Sequence, residues 1–260
     1  MIGKLLARGL AAGLLAGVLA GLFGLAFGEP ALERATASSG HDHGAAATGH
    51  SDDSHGGESG DDVFGRGAQK AGLIIGTSLY GAAVGGVFGL VSAFLRGRSG
   101  LGGWARSVVL AGGVFLGAVL VPFLKYPPSP PGGSSTAGQT PAYLALVGLS
   151  LLAVFFSWRV SRRMAEASAP VRHLSVAGFL LASFAALWAL LPAPIEAGAV
   201  EAGVLWQFRL SSLGTQAVLW AALGCIFGLL CERAESADAE PGGSTRAAGN
   251  TKNIENAEAR

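Results

Sequence analysis

The chain carries little charge for its length, since Asp, Glu, Lys and Arg make up only 13% of its 260 residues. An ordinary soluble domain carries roughly a quarter charged residues, so the composition excludes that class. The formal net charge is +1, which leaves no basic surface for a phosphate backbone. We therefore expect no nucleic-acid partner.

Cysteine is also scarce. Cys225 and Cys231 are the only two, and they lie six residues apart in one apolar run. On a single helix they face different directions and cannot form a disulfide. The sequence has no GxxxxGK[ST] phosphate loop, no HExxH pair and no serine nucleophile elbow. These absences argue against ATP hydrolysis by this chain, and we expect that it is not an enzyme.

Long apolar runs are what the sequence has in abundance. Half of the residues are hydrophobic, and a bilayer crossing takes about 20 residues. Six runs reach that length, at about 5–27, 71–95, 104–124, 141–158, 173–191 and 204–230. They predict an all-α, polytopic membrane helix bundle. The fourth and fifth runs are the shortest, and a bundle of five spans, which the family resemblance given below implies, is the alternative.

Positive residues alternate between the two sides of the predicted spans. One side collects Lys4, Arg8, Arg96, Arg98, Arg106, Arg159, Arg162, Arg163 and Arg172. Positive loops are retained in the cytoplasm, so both termini are predicted to be cytoplasmic in a multi-pass protein of the cytoplasmic membrane. The transmembrane domain is then 1–231, with an extracytoplasmic loop at 28–70 and a disordered cytoplasmic tail at 232–260. A cleaved signal peptide is the rival interpretation of the first run.

Glycine recurs every fourth residue in the first two runs. The first has Gly9, Gly13, Gly17 and Gly21, and the second has Gly81, Gly85 and Gly89. This spacing makes a smooth face against which another backbone packs closely. We expect the first two helices to pack there. Sliding of the two faces during a transport cycle is the alternative interpretation.

The stretch HDHGAAATGHSDDSHGG, residues 41 to 57, holds four of the five histidines. Neutral imidazole binds Co, Ni, Cu and Zn, whereas Mg and Ca prefer oxygen ligands. The candidate metal ligands are His41, Asp42, His43, His50 and His55. Their spacing is not that of a folded zinc module. Three interpretations stay open: a segment that gathers metal, a defined metal site, or a linker with no metal role.

The last run begins LWQFRLSSLGTQAVLW, residues 205 to 220, and carries a polar face. Its candidate pathway or gate residues, which share one arc of the helix, are Arg209, Ser212, Thr215 and Gln216. Such a face must meet protein or water rather than lipid. Arg209 is predicted either to reach the headgroups or to pair with Glu29, which is also a candidate ligand and gate. Lys125 and Tyr126, in PFLKYPPSPPGG at 122 to 133, are predicted at headgroup level.

The stretches AAGLLAGVLAGLFGLAFGEP at 11–30, VPFLKYPPSPPG at 121–132 and LWQFRLSSLGTQAVLW at 205–220 together resemble the CbtA family of predicted cobalt transporter membrane subunits. The resemblance implies cobalt uptake connected with cobalamin synthesis and a small one-span partner, CbtB. It marks as candidates Glu29, Pro30, Lys125, Tyr126, Pro127, Arg209, Ser212, Gly214, Thr215 and Gln216.

The predicted function is therefore an integral membrane subunit of an uptake transporter for a divalent transition metal. Co2+ is the expected substrate, Ni2+ is the alternative, and no tightly bound cofactor is expected. Beyond membrane lipid and the CbtB-type subunit, a homo-oligomer stays open. The alternative function is a membrane metal sensor or scaffold that transports nothing.

Overall fold

The structure, a computed structural model, describes residues 2–28, 30, 66–98, 100–129, 140–193 and 201–239. Within those residues the chain forms helices and no strands. Helix α1, Ile2–Phe23, continues as a π-helical turn at Gly24–Gly28. Helix α3, Gly103–Lys125, likewise contains a π-helical segment, Phe115–Leu120. The other helices are α2 at Arg66–Leu95, α4 at Thr140–Arg163, α5 at Ala169–Leu190 and α6 at Ala202–Ala239.

All six helices are long and apolar enough to cross a membrane. This confirms the predicted helix bundle and favours six spans over five. The largest difference lies at the end of α6, which continues to Ala239. The first residues of the segment predicted as a tail are therefore helical, and those from 240 onward lie outside the described residues.

The helices pack in the spatial order α2, α1, α6, α3, α4, α5. Helix α1 is central to the first half, where its Ala12 and Ala16 are fully buried. Gly9 faces Gly85 and Gly89, whereas Gly17 faces Thr77 and Ser78, so α1 and α2 run antiparallel. The end of the bundle where α1 finishes is called the Gly28 end, and the opposite end the Arg96 end.

The glycine faces of α1 and α2 bring the two backbones into contact. A Cβ atom built on Gly13 would lie 2.8 Å from the Cα of Gly85. One built on Gly85 would lie 2.7 Å from the Cα of Gly13. No real Cβ tolerates such distances, so this crossing exists only because both helices present glycine there. The predicted packing of the first two helices is confirmed.

Large apolar side chains fill the bundle between its middle and the Arg96 end. Leu223 and Phe227 of α6 are completely buried, and Phe88 of α2 meets the Phe227 ring edge-on at a centroid distance of 5.3 Å. Leu219 and Trp220 extend this cluster toward the Gly28 end. We call these five residues the aromatic core. They close the middle of the bundle.

Basic side chains gather at the Arg96 end, as the charge pattern predicted. Arg96 forms a 3.3 Å ion pair with Glu235 of α6. The Arg162 guanidinium donates to the backbone oxygen of Arg98 at 2.6 Å. These contacts bring the ends of α2, α4 and α6 together on one side of the bundle.

Candidate functional site

A cavity of about 400 Å³ lies at the Gly28 end, where α1, α2 and α6 meet. Its polar lining comes from Lys70, Thr77, Ser211, Ser212, Thr215 and Gln216. Its apolar lining comes from Ala20, Gly21, Gly24, Leu25, Gly28, Leu73 and Phe208. The polar groups of the lining thus all come from α2 and α6, whereas α1 contributes only small or apolar residues and most of the lining is apolar.

The α1 wall owes its shape to glycine and to the π-helical turn. Gly21, Gly24 and Gly28 all line the cavity. Around Gly28, a Cβ atom would meet nothing within 4 Å, and around Gly24 it would meet only the Thr215 hydroxyl at 3.8 Å. These positions leave open space that side chains would fill. A π-helical turn is rare and recurs at functional sites.

The hydroxyl groups of the cavity all donate to carbonyls of their own helices. Thr77 donates to Leu73 at 2.9 Å. Ser211 and Ser212 both donate to Phe208 at 2.9 Å, and Thr215 donates to Ser211 at the same distance. A hydroxyl has one proton and two acceptor lone pairs. The groups thus keep their acceptor capacity and have no proton left for a ligand.

Three of the predicted pathway residues, Ser212, Thr215 and Gln216, come together in this cavity. Arg209 is half-buried outside its lining, and its Nε donates to the carbonyl of Pro128 at 3.3 Å. The guanidinium thus ties α6 to the turn that follows α3. Glu29 and the five loop candidates, His41 to His55, lie outside the described residues. Pairing of Glu29 with Arg209 stays a prediction.

Lys125 and Tyr126 lie away from the cavity lining, at the contact between the end of α3 and the end of α5. The Lys125 side chain is only 4% exposed in spite of its charge. Its Nζ donates to the carbonyl of Trp188 at 2.7 Å and lies 5.0 Å from the centre of the Trp188 ring. A charged donor placed on both a carbonyl and an aromatic face is doubly stabilised.

The Tyr126 hydroxyl makes a second link to the same region, by donating to the carbonyl of Pro192 at 2.7 Å. Burial raises the pKa of Tyr126, so the phenol stays a donor at neutral pH. Both residues are buried within the protein, and their predicted depth at the headgroups stays a prediction. Their role as pathway or gate residues stays a prediction, whereas the contacts they make fasten α5 to α3.

The sequence analysis did not single out Lys70, Thr77 or the glycines Gly24 and Gly28. Thr77 precedes Gly81 by four residues and so shares the face that α2 presents to α1. This four-residue spacing could have predicted that Thr77 lies at the contact with α1. Nothing in the sequence around Lys70 predicts its position at the cavity, because a loop separates it from α1 and only the fold brings the two together.

Ligand types limit what the cavity binds. Among the described residues that line it, none carries a carboxylate, imidazole or thiolate. Nor is any group of three or more His, Cys, Asp or Glu within the described part of the chain placed to hold a metal ion. The cavity offers hydroxyl and amide oxygens within a largely apolar lining, and Lys70 is one of its lining residues. Toward the Arg96 end it gives way to the aromatic core.

These features define a multi-pass helical membrane protein with a polar cavity inside one end of its bundle. The chain belongs to the CbtA family, since the family model described as "Probable cobalt transporter subunit (CbtA)" matches residues 2–232. The matched range includes every residue that lines the cavity. A subunit implies partner subunits. No curated protein and no solved structure matches the chain.

Proposed function

We propose that this chain is the membrane subunit of a cobalt uptake transporter and that the cavity at the Gly28 end receives the metal ion from outside the cell. One observation carries the proposal. A largely apolar cavity, with hydroxyl and amide groups of α2 and α6 in its lining, opens at one end of the bundle, and the buried aromatic core lies between it and the other end. A solute chamber closed on one side is the arrangement that alternating access requires.

The charge distribution supports this orientation. Basic residues gather at the Arg96 end, and positive loops are retained in the cytoplasm of bacteria. The Gly28 end then faces outward, both chain termini face inward, and the protein resides in the cytoplasmic membrane. The membrane-spanning unit ends near Cys231, and the tail from 232 is cytoplasmic.

The histidine-rich loop is joined to the cavity at both of its ends. Gly28, which precedes the loop, and Lys70, which follows it, both line the cavity. His41, His43, His50 and His55 are thus tethered to the mouth, together with Asp42. Tethering raises the local concentration of a bound metal ion near the mouth. We assign the loop the role of gathering metal for the cavity.

Glu29 is the residue next to Gly28 in the chain and the first acidic residue after α1 in the sequence. We assign it a transient contact with the incoming cation, released by exchange with Arg209. The Arg209 guanidinium already bonds the carbonyl of Pro128, and an exchange would move it between two partners. Ser212, Thr215 and Gln216 then supply the chamber beyond this gate.

The resemblance suggests that the partner subunit is a one-span CbtB-type protein and that the imported cobalt serves cobalamin synthesis. Ni2+ is the competing cargo, because imidazole ligands bind Ni2+ more tightly than Co2+. Discrimination must then come from geometry or from metal supply.

Uptake of labelled Co2+ by cells that express the chain with the one-span partner tests the proposal. A variant with the four loop histidines changed to Ala should lose uptake mainly at low Co2+. The double variant Ser212→Ala, Thr215→Val should lose it at all concentrations. Ser183→Ala is the matched control, because its hydroxyl makes the same bond within a helix, to Phe179, away from the cavity.

Two outcomes would contradict parts of the proposal. If the histidine variant loses uptake at every Co2+ concentration, the loop is the transport site itself and does not merely gather metal. If the chain binds Co2+ but cells accumulate none with or without the partner, the protein is a metal sensor or scaffold.

A further inference from the structure

We propose that the Arg96 end of the bundle holds a binding site for a phosphate group, built from arginines that converge from α1, α2 and α3. The three are Arg8, Arg96 and Arg106, and Glu235 of α6 lies among them. We call these four residues the arginine junction. The junction lies at the opposite end of the bundle from the cavity, and the proposal does not depend on metal transport.

Arg106 is the residue of the junction that lacks a partner. Its side chain is only 6% exposed, and its Nε is buried without a hydrogen-bond partner among the described residues. A buried charge with an unsatisfied donor is destabilising unless an anion compensates it. Glu235, the acid of the junction, forms its ion pair with Arg96 instead, at 3.3 Å. The Arg106 guanidinium therefore keeps a free donor inside the bundle.

A second buried donor lies at a similar depth. Phe88 contacts Phe227, and Arg96 pairs with Glu235, so these two contacts fix the register of α2 against α6. Ser92 is midway between Phe88 and Arg96 and thus faces α6 one turn beneath the ion pair. It is fully buried, and its hydroxyl has no partner within the described part of the chain. A helical serine can donate to the carbonyl four residues earlier, but this one does not.

Cys231 shows that these elements surround one point. It is buried on α6, one turn before Glu235. A Cβ atom built on Gly103, the first residue of α3, would lie 3.5 Å from the Cys231 Cβ. The charges of Arg8 and Arg106 both act on the Cys231 thiol. Four helices therefore meet around this side chain, and α1 and α3 each bring a positive charge to it.

The Glu235 carboxylate marks the position that an external anion would take. Its Oε1 pairs with Arg96, and its Oε2 lies 3.2 Å from a Cβ atom built on Gly103. An anion at the start of a helix is stabilised by the helix dipole and by unpaired backbone N–H groups. Glu235 is 42% exposed, and exposed ion pairs contribute little stability. A phosphate group, which has more charge and more acceptor oxygens, can displace this carboxylate into solvent.

The chemistry and the depth of the junction both favour phosphate. A guanidinium binds phosphate through two parallel hydrogen bonds, and each is stronger than a bond between neutral groups. Trp104, at the same end of α3, is exposed, as is typical of tryptophan at the headgroup level of a membrane. Basic pockets between spanning helices bind the phosphates of anionic lipids at this level. Free phosphate would use the same contacts.

Thermal unfolding of the purified full-length chain in lipid nanodiscs measures binding, because a ligand of the folded state raises the melting temperature. One arm adds inorganic phosphate to discs of phosphatidylcholine, whose choline group offsets the phosphate charge, with chloride at equal ionic strength as reference. The other arm replaces part of this lipid by phosphatidylglycerol. Stabilisation in the second arm alone identifies a lipid phosphate as the ligand, and stabilisation in the first identifies free phosphate. No stabilisation in either arm overturns the proposal.

Substitutions separate a site from general attraction to positive charge. Arg106→Gln should weaken the affinity about tenfold or more, because it removes charge-assisted hydrogen bonds. Arg98→Gln is the matched control, since Arg98 is exposed at the same end, and it should change the affinity less than about twofold. Glu235→Gln should raise the affinity about two- to fivefold by removing the competing carboxylate. Equal losses in Arg106→Gln and Arg98→Gln, or a lower affinity in Glu235→Gln, would overturn the site.

The stability of Arg106→Gln without added phosphate tests whether this arginine is merely structural. In phosphatidylcholine discs the variant should be at least as stable as the wild type, because it removes an uncompensated buried charge. A loss of stability there would mean that the guanidinium already has a partner within the chain, and the proposal would be wrong. Ser92→Ala removes only an unpartnered hydroxyl. It should fold normally and lower the phosphate affinity about two- to fivefold.

Discussion

Helices α2 and α5 are attached to the bundle in opposite ways. Helix α2 meets α1 through bare backbone, with Gly81 and Gly85 set against Gly13 and Gly17. None of the residues of α5 is buried, and two side chains, Lys125 and Tyr126, hold the region around its end. At its crossing point the first contact is made by backbone atoms, whereas the second adds individual hydrogen bonds to the apolar packing of α5 against α4 and the end of α3. The cavity lies in the half with the rigid contact.

Substitution of Gly85 in the α1–α2 contact should destabilise the protein more than any change at the end of α5. A Cβ there would lie 2.7 Å from the Cα and 2.9 Å from the N of Gly13, and backbone atoms cannot move aside. We expect Gly85→Val to cost at least about 3 kcal/mol and to abolish a monodisperse folded peak in detergent. Gly76→Val is the control on the same helix, since nothing lies within 4 Å of its Cβ position. Equal melting temperatures for the two variants would contradict the rigid contact.

Loss of the Lys125 ammonium should have the next largest effect. Lys125→Met removes the charged donor to Trp188 while keeping most of the apolar stem. Charged hydrogen bonds contribute about 1.5–3 kcal/mol, so we expect a loss of this size. Thermal unfolding measures it, with the exposed Lys4→Met as control. Phe184 packs against the cluster of Val121, Tyr126 and Leu146. In a chain with the exposed Cys225 changed to Ala, a cysteine placed at Phe184 should become more reactive to a membrane-permeant maleimide only in Lys125→Met.

Tyr126→Phe should cost less, about 1 kcal/mol, because it removes a neutral hydrogen bond and keeps the ring. Burial raises the pKa of Tyr126 above its ordinary value of about 10. The folded state thus favours the protonated phenol, and the stabilisation is fully present below pH 10 and lost as pH rises through the raised pKa. The stability difference between wild type and Tyr126→Phe should stay constant from pH 7 to 9. A difference that vanished within that range would contradict the buried donor.

Loss of the ion pair between α2 and α6 should have the smallest effect on the free energy of unfolding. Arg96 and Glu235 are 41% and 42% exposed, and exposed pairs contribute about 0–1 kcal/mol. A double-mutant cycle with Arg96→Gln and Glu235→Gln should give a coupling below about 0.5 kcal/mol that disappears in 1 M salt. A larger or salt-independent coupling would contradict a weak, solvent-exposed ion pair.

Local sequence features predicted the helices and the α1–α2 contact. Apolar length is a property of consecutive residues, which is why the predicted run at 104–124 and the observed helix Gly103–Lys125 nearly coincide. Glycine spacing is equally local, and it identified both faces of the contact. The shared face of Ser212, Thr215 and Gln216 also followed from helical periodicity.

Features that depend on distant partners could not be predicted in the same way. The sequence around Lys125 is typical of a helix end at the headgroups, but its Nζ is buried because a carbonyl 63 residues later accepts its proton. Lys70 and Thr77 line the cavity only because α2 returns antiparallel against α1. No periodicity within one segment contains that information.

The aromatic core also has an electrical consequence. If water fills the cavity, a voltage across the membrane falls mainly over the buried layer formed by Phe88, Leu219, Trp220, Leu223 and Phe227. Moving one charge through 100 mV is worth about 2.3 kcal/mol, so a dication crossing this insulator gains about 4.6 kcal/mol when the cell interior is negative. In the proposed orientation, the aromatic core blocks the ion at rest. The resting potential supplies most of its free energy to the ion as the ion crosses this same layer.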